Sequence, residues 1–404
     1  MAVGAGLSAT SMAQLADSSK NLYVAKPGPY DPLGIRMGSF YAFPSIEVLG
    51  LYDDNVYADS ADKRSDEILV VSPQIQVESN WSRHKLQLFA GGEFGFHNTF
   101  GAEDYKDYLL QAHFQGDLTR ATKLELQAEQ ARDHQERGDP EAVEGLKPTI
   151  YDRTEARAQL NQSLGRLSLS AGGRFARYDF KDTPGVNGII NNHDRNRDIF
   201  VADAKAAFEF SPGYQVYTEF AYNWRDFDDA FDDVGINRDS EGYELTAGVQ
   251  FELTDLLEGA IFGGYMTQNP DDPRLIKIDG AAFGASLIWH PTELTTVSLE
   301  ASRAIQESFL LDATGYFADR VRLSVGYKLR ENLDITVFGL LGQDDYQGIS
   351  RNDSRYGGGV NVFWGLNRFL AAKVAYTYDR RNSDFPGIGD FARNRVAIAL
   401  EARY

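Results

Sequence analysis

The sequence predicts an all-β fold, a transmembrane antiparallel up-and-down β-barrel of about eighteen strands with short periplasmic turns and longer extracellular loops. Two observations predict it. From Phe43 to the carboxyl terminus, successive runs of roughly 10–16 residues alternate apolar and polar side chains, which is the period of a β-strand. The connections between these runs are alternately short and long, as they are in outer-membrane barrels.

Three segments follow one another along the chain. Residues 1–13 (MAVGAGLSATSMA) are similar to the end of a secretory signal peptide, although the basic region that opens such a signal is absent. Residues 14–42 form a leader that contains the Pro- and Gly-rich stretch KPGPYDPLG and is not expected to form regular structure. Residues 43–404 form the predicted barrel.

The fifth predicted strand shows the alternation clearly. Leu124 and Leu126 fall on one face, and Glu125, Gln127 and Glu129 fall on the other. About eighteen such strands leave eight short turns and nine longer loops. Because the number of strands is even, both chain ends lie on the short-turn side, which is the periplasmic side of an outer-membrane barrel.

The apolar face of these strands is expected to meet lipid. An eighteen-stranded barrel has a lumen that side chains cannot fill, so the polar face must line water. A secreted β-sandwich or propeller is the alternative, but its strands are typically only about 5–6 residues long. Its connections also do not alternate between short and long. The sequence therefore predicts a bacterial outer-membrane location.

The composition argues against several classes of function. The chain has 40 Lys and Arg against 59 Asp and Glu, a formal charge of −19, and no Cys. The negative charge argues against a nucleic-acid partner, and the lack of Cys excludes thiolate metal sites. The six His residues are scattered without ligand spacing. We therefore expect no enzyme, no metal site and no cofactor.

Charged side chains on the polar face are the candidate pore-lining residues. The alternation assigns to the lumen Glu125, Glu129, Asp133, Arg153, Arg157, Arg174, Arg320, Arg322, Lys328, Lys373 and Arg395. Opposite charges on neighbouring strands form cross-strand pairs that keep the wall rigid, and they also create a field that selects among solutes. The sequence does not separate these two roles.

The leader is the candidate stopper for this lumen. Diffusion porins narrow their pore with a long inward loop, whereas the longest loop predicted here has about a dozen residues, so another element would have to close the wide lumen of such a barrel. Tyr30, Asp31, Pro32 and Arg36 lie in the leader and are expected to plug the lumen or to dock a periplasmic partner. A disordered linker is the alternative.

The leader and the first strand also carry a family resemblance. The segments YDPLGIRMGSF, from Tyr30 to Phe40, and YDDNVY, from Tyr52 to Tyr57, resemble the putative beta-barrel porin type 2 family of outer-membrane proteins. Some members of that family are associated with exopolysaccharide loci. There the resemblance implies a polysaccharide exit paired with a periplasmic polysaccharide-export protein, and it implies no catalytic residues. The final strand ends on Tyr404, which resembles the signal that the barrel-assembly machinery recognises.

Three functions are compatible with this pattern. We expect an outer-membrane channel that passes hydrophilic material, with a secreted polysaccharide as the candidate cargo. The first alternative is a general or substrate-selective diffusion porin, which predicts a narrow constriction. The second is a structural or adhesive surface protein with a closed lumen. The other expected partners are outer-membrane lipid and lipopolysaccharide.

Overall fold

The chain forms one closed antiparallel β-barrel of eighteen strands, which confirms the predicted fold class. The computed structural model describes residues 28–253, 256–385 and 389–404. The predicted signal segment and residues 14–27 of the leader lie outside these ranges. The ring closes where the first strand pairs with the last, Ser45 opposite Arg403 and Asp53 opposite Arg395. Within these ranges no helix is long and apolar enough to cross a membrane.

The barrel strands are numbered here in chain order. They are β1 (Phe40–Asp53), β2 (Asp66–Ser79), β3 (Lys85–His97), β4 (Tyr105–Asp117), β5 (Thr122–His134), β6 (Ile150–Leu164), β7 (Leu167–Phe180), β8 (Arg197–Ser211), β9 (Tyr214–Phe227), β10 (Ser240–Glu252), β11 (Leu257–Pro270), β12 (Ile278–Thr292), β13 (Thr295–Glu307), β14 (Gly315–Arg330), β15 (Leu333–Gln347), β16 (Asn352–Gly365), β17 (Leu370–Ser383) and β18 (Phe391–Arg403). Each pairs with its sequence neighbours, so the topology is a simple meander.

Alternation along each strand separates a lipid face from a lumen face. In β18, Val396, Ile398 and Leu400 are 42%, 63% and 60% exposed, while Ala397 and Ala399 between them are 2% exposed. The strands are 13–16 residues long, and a tilted strand needs only about 9–11 residues to cross the hydrocarbon core. The polar ends of the strands therefore project beyond the apolar band.

The connections differ in length at the two ends of the barrel. Tight turns such as 165–166 and 331–332 lie at one end, and longer loops lie at the other. The two largest loops are 135–149 and 181–196, and the second contains a two-stranded hairpin, Thr183–Gly185 with Gly188–Ile190. By the topology of outer-membrane barrels, the long-loop end is extracellular.

The wall is interrupted between β12 and β13. Their ladder runs from the short turn only as far as Gly284 opposite Ser302. By contrast, β13 stays paired with β14 up to Glu307 opposite Gly315. The outer ends of β13 and β14 therefore separate from β12 as a unit.

This unit leans into the lumen. Phe317 lies on the outward face of β14, in alternation with the lipid-facing Val321 below it. It nevertheless packs against Met266, Ile278 and Ala282, which lie on the inward face of β11 and β12. An outward side chain can contact inward ones only if its own strand lies inside the ring. We name the outer ends of β13 and β14 the infolded wall, and it narrows the lumen at the extracellular end.

Candidate functional site

The loop between β5 and β6, residues 135–149, crosses the extracellular end of the lumen, and we name it the crossing loop. The Glu141 carboxylate accepts hydrogen bonds from the Ser308 hydroxyl (3.1 Å), the Phe309 backbone N–H (2.9 Å) and the Tyr346 hydroxyl (2.9 Å). Tyr346 belongs to β15, which stands nine strands from β6 in a ring of eighteen. The crossing loop therefore reaches from its own wall to the opposite one.

Two arginines of the far wall hold the backbone of the crossing loop. The carbonyl oxygens of Gly138 and Pro140 accept hydrogen bonds from Arg355 and Arg351, each at 3.4 Å. Arg351 is itself fixed by a pair of hydrogen bonds to Asp353 (2.6 and 3.1 Å), and both side chains are fully buried. Because this wall contact is rigid, it gives the crossing loop a defined position.

The stem of the crossing loop is tied to β18. The Glu136 carboxylate lies 3.1 Å from Arg393 and 3.6 Å from Arg395. Arg393 also forms an ion pair with its cross-strand neighbour Asp379 at 3.2 Å. The loop is therefore held at two places, its tip by β15 and β16 of the far wall and its stem by β18.

Charge complementarity explains why the loop folds inward. The crossing loop carries Glu136, Asp139 and Glu141, and it meets a wall with a high density of arginine. That wall presents Arg351, Arg355, Arg381, Arg393 and Arg395. Burial of Glu141 raises the pKa of its carboxyl, while the guanidinium groups of Arg195 and Arg351 act in the opposite direction.

A second arginine cluster faces the infolded wall. Glu307 at the end of β13 lies 2.5 Å from Arg197 on β8 and 3.4 Å from Arg225 on β9. These ion pairs join strands that are four and five positions apart in the ring. They therefore hold the infolded wall in the lumen, beside the crossing loop.

Arg195 lies where the loops meet. It is 4% exposed, and its guanidinium carbon lies 4.1 Å from the ring centre of Phe180 and 4.9 Å from that of Phe309. Among the described residues, no carboxylate oxygen lies within 4 Å of it, and its Nε has no hydrogen-bond partner. Burial, and then repulsion by Arg197, lower the pKa of Arg195 to about 10, so it stays charged at neutral pH.

The predicted pore-lining residues of β5–β7 form connected ion pairs. Arg153 lies 2.7 Å from Glu129 and 3.9 Å from Asp133, so the structure brings these three together. Arg157 and Arg174 have longer contacts, 3.6 Å to Asp203 and 3.9 Å to Glu155. Glu125 accepts a hydrogen bond from Asn161 at 3.2 Å.

The remaining predicted lining residues are spread along the opposite wall. Arg320 pairs with Asp344 (2.5 Å), and Lys373 pairs with Glu47 (2.6 Å) and Glu401 (3.2 Å). Arg322 lies over the Phe338 ring at 4.5 Å, Lys328 stands opposite Asp334 in the ladder, and Arg395 contacts the crossing loop. Of the whole predicted set, Arg395 alone lies within 4 Å of a charged side chain of the crossing loop among the described residues.

The described part of the leader follows the short-turn rim. Residues Ile35–Met37 form a short strand on Phe40–Ala42, so β1 begins before the predicted Phe43. Arg403 donates a hydrogen bond to the Tyr30 carbonyl at 3.0 Å. Asp31 folds back onto the Gly28 N–H at 2.8 Å, and Arg36 points to the Gly38 carbonyl at 3.4 Å.

Gly34 fixes the course of the leader at this rim. Its φ is +71°, and a Cβ at this position would lie 2.6 Å from the Phe43 ring, so only glycine fits. Pro32 is half-buried beside the exposed Leu33. The described leader residues therefore line the rim, and any plug formed by residues 14–27 lies outside the described residues.

The expectation of a wide lumen that needs a separate stopper is wrong at the extracellular end. The loop between β5 and β6 is longer than the sequence pattern predicts, and it crosses the lumen. The pattern also does not predict the roles of Glu141, Arg195, Arg197, Arg225 and Arg351. One signal was available. The crossing loop combines great length with three acidic residues near its start, and arginines recur where other strands begin.

Comparison with protein families gives one match. The family model described as Putative beta-barrel porin 2 matches residues 28–404, which is nearly the whole chain. No curated protein sequence matches the chain.

Three solved structures are similar to this chain at low sequence identity. OccK2 (OpdF) of Pseudomonas aeruginosa is 12% identical, with a TM-score of 0.48 over 90% of this chain and 98% of that one. OpdL of the same organism is 14% identical, with a TM-score of 0.46 over 91% and 99% of the two chains. A mutant of its ferric enterobactin receptor PfeA is 8% identical, with a TM-score of 0.49 over 90% and 80%.

Proposed function

The chain belongs to the Putative beta-barrel porin 2 family, a family of porin-like outer-membrane barrels, and from this we propose that it is a channel for small hydrophilic solutes. The channel is narrowed by a fixed loop at its extracellular end. One observation carries the proposal, namely the attachment of the crossing loop to the opposite wall through Glu141. A loop held across the lumen limits the size of what passes.

The charges around the constriction support a selective channel. The crossing loop contributes carboxylates, and Arg393 and Arg395 of the wall lie 3.1 and 3.6 Å from the Glu136 carboxylate. Arg351 and Arg355 hold the loop backbone. A field between fixed charges of opposite sign orients polar solutes as they enter. Hydrophilic solutes with both donor and acceptor groups therefore suit this passage better than apolar ones of the same size.

Liposome swelling tests the proposal. Purified protein is reconstituted into liposomes, which are diluted into isotonic solutions of a monosaccharide, a disaccharide, a tetrasaccharide or a linear dextran. We expect rapid swelling with the monosaccharide, slower swelling with the disaccharide and none with dextran. Swelling at equal rates in all four solutions, or in none, would overturn the proposal.

Export of a polysaccharide is the second candidate, and the family resemblance favours it. It requires the crossing loop to leave the lumen, so a polymer passes only when a partner has displaced that loop. A periplasmic polysaccharide-export protein at the leader rim, near Tyr30 and Arg403, would be such a partner. Dextran-driven swelling that appears only when such a partner is added would favour export over diffusion.

A further inference from the structure

An apolar patch interrupts the polar lining of the lumen. It consists of Leu49 and Leu51 on β1, Ile68 and Val70 on β2, and Ala397 and Ala399 on β18. These residues pair across the three strands, with Leu49 between Ala399 and Val70 and Leu51 between Ala397 and Ile68. The lumen of an outer-membrane channel is ordinarily polar, so a patch of aliphatic side chains there requires an explanation.

A cavity lies over this patch, and we name it the aliphatic cavity. Its volume is about 90 Å³, several times the roughly 10–15 Å³ that one water needs. Four patch residues, Leu49, Leu51, Ile68 and Val70, form its floor. Residues 134–137, at the end of β5 and the stem of the crossing loop, form its roof. It therefore lies in the lumen, beneath the stem of the crossing loop.

Charged groups of both signs border the aliphatic cavity. Arg395 and Asp53 pair with each other on the extracellular side of the patch, two residues along their strands from Ala397 and Leu51. Glu47 lies on the periplasmic side of the patch, two residues along β1 from Leu49. Glu93 on β3 also lines the cavity. A polar head with both charges thus finds complementary groups around an apolar floor.

Two of these border groups are positioned to face a charged solute. Arg395 is 7% exposed, its Nε has no hydrogen-bond partner, and its nearest carboxylates lie 3.6 and 3.8 Å away. Glu93 accepts a hydrogen bond from the Tyr105 hydroxyl at 2.8 Å, and no cationic group lies within 4 Å of it among the described residues. Buried polar groups are ordinarily satisfied, so the unpartnered Nε of Arg395 points to a ligand.

We propose that the aliphatic cavity is a binding subsite for small zwitterionic solutes with an aliphatic body, of which apolar amino acids are the simplest. The apolar patch contacts the body, and Arg395 and the bordering carboxylates contact the charged head. The subsite rests on the proposed function, because it selects among solutes that the channel passes. It adds a substrate class that neither the family nor the barrel fold specifies.

Channel block by a homologous series tests the subsite. Glycine, alanine, valine and leucine share one zwitterionic head, and only the apolar body grows. Ion current through single channels in a planar bilayer is recorded at about 0.15 M salt while each amino acid is added. We expect the half-blocking concentration to fall along the series, by about two- to fourfold for each added methylene group.

Substitutions in the apolar patch should weaken the dependence of the half-blocking concentration on side-chain length. Val70→Thr keeps the shape of the side chain and adds a hydroxyl, and Leu49→Asn removes more of the apolar surface. In both variants we expect leucine to block little better than glycine. Val201→Asn is the matched control, since Val201 is an aliphatic lumen residue on β8, outside the aliphatic cavity. In this variant the half-blocking concentration should still fall from glycine to leucine as it does in the wild type.

The outcomes separate the subsite from the channel itself. A conducting wild-type channel whose block does not depend on side-chain length would overturn the subsite and leave the proposed function standing. An equal loss of selectivity in Val201→Asn would also overturn it. Absence of current in every folded form, with folding verified by circular dichroism, would overturn the proposed function.

Discussion

Position on one face or the other of a strand decides what each residue does in this wall. In β18, Leu400 points to lipid and is 60% exposed, whereas the neighbouring Ala399 is 2% exposed inside the apolar patch. Arg393 and Arg395 are two residues apart, so both lie on the lumen face of β18, beside the crossing loop. One step along the sequence thus separates lipid contact from a role in the lumen.

A lipid-facing charge should prevent assembly. We expect Leu400→Arg to reduce the folded, membrane-inserted fraction strongly, because arginine on the lipid face near mid-bilayer costs about 2–4 kcal/mol. Ser286→Arg is the control. Ser286 lies on the lumen face of β12 and pairs with Glu300 on β13, so the new guanidinium gains a carboxylate partner. The measurement is migration of unheated samples on a denaturing gel. Equal effects of the two substitutions would show that the faces are assigned wrongly.

The sequence predicts the face of a residue better than its environment on that face. Ala397, Ala399 and Ala282 alternate correctly toward the lumen, yet all three are packed against neighbouring side chains and do not face open water. Alternation is a property of one strand, whereas burial depends on which loop or strand covers it. Sequence reasoning on a single chain cannot supply that second fact.

At the scale of elements, the crossing loop and the infolded wall meet each other. Glu141 of the loop contacts Ser308 and Phe309, which directly follow β13. The infolded wall is in turn held by Glu307 against Arg197 and Arg225. Displacement of one element would therefore loosen the other.

The position of the crossing loop should depend on pH. Burial raises the pKa of Glu141 above its ordinary value of 4.5, so the docked loop holds this proton more tightly than a released loop does. By linkage, docking is strongest at low pH and loses stability as the pH rises through the raised pKa. We expect high-conductance openings to become more frequent as the pH rises above the ordinary carboxyl value of 4.5.

An isosteric substitution isolates this effect. Glu141→Gln keeps an acceptor oxygen for Ser308, Phe309 and Tyr346 but carries no charge, so the frequency of openings should no longer change with pH. Glu144→Gln is the control, because Glu144 is an exposed acidic residue of the same loop. An unchanged pH response in Glu141→Gln would contradict this account of the loop.

The long-range contacts of these elements were beyond sequence reasoning. Strand periodicity and the alternation of short and long connections are local patterns, and they predicted the barrel and its number of strands. The contacts between Glu141 and Tyr346, or between Arg197 and Glu307, join positions far apart in the chain. Their partners can be chosen only once the ring has placed opposite walls near each other.

For the whole molecule, a closed ring of eighteen strands would enclose a wide aqueous channel, and two features narrow it. The crossing loop reaches the opposite wall, and the outer ends of β13 and β14 lean inward. Both features lie at the extracellular end, while the described leader lies at the short-turn rim. Within the described residues, both narrowing features thus lie at the extracellular end.

Single-channel conductance of a variant with a released loop tests this central claim most directly. Glu141→Ala leaves three donors without their acceptor, and each unsatisfied buried group costs about 1–3 kcal/mol, so the crossing loop should undock. Glu144→Ala, at the exposed position, is the matched control. We predict a larger and noisier conductance for Glu141→Ala and an unchanged one for Glu144→Ala. Equal conductance in wild type and Glu141→Ala would contradict the claim that this loop sets the width of the channel.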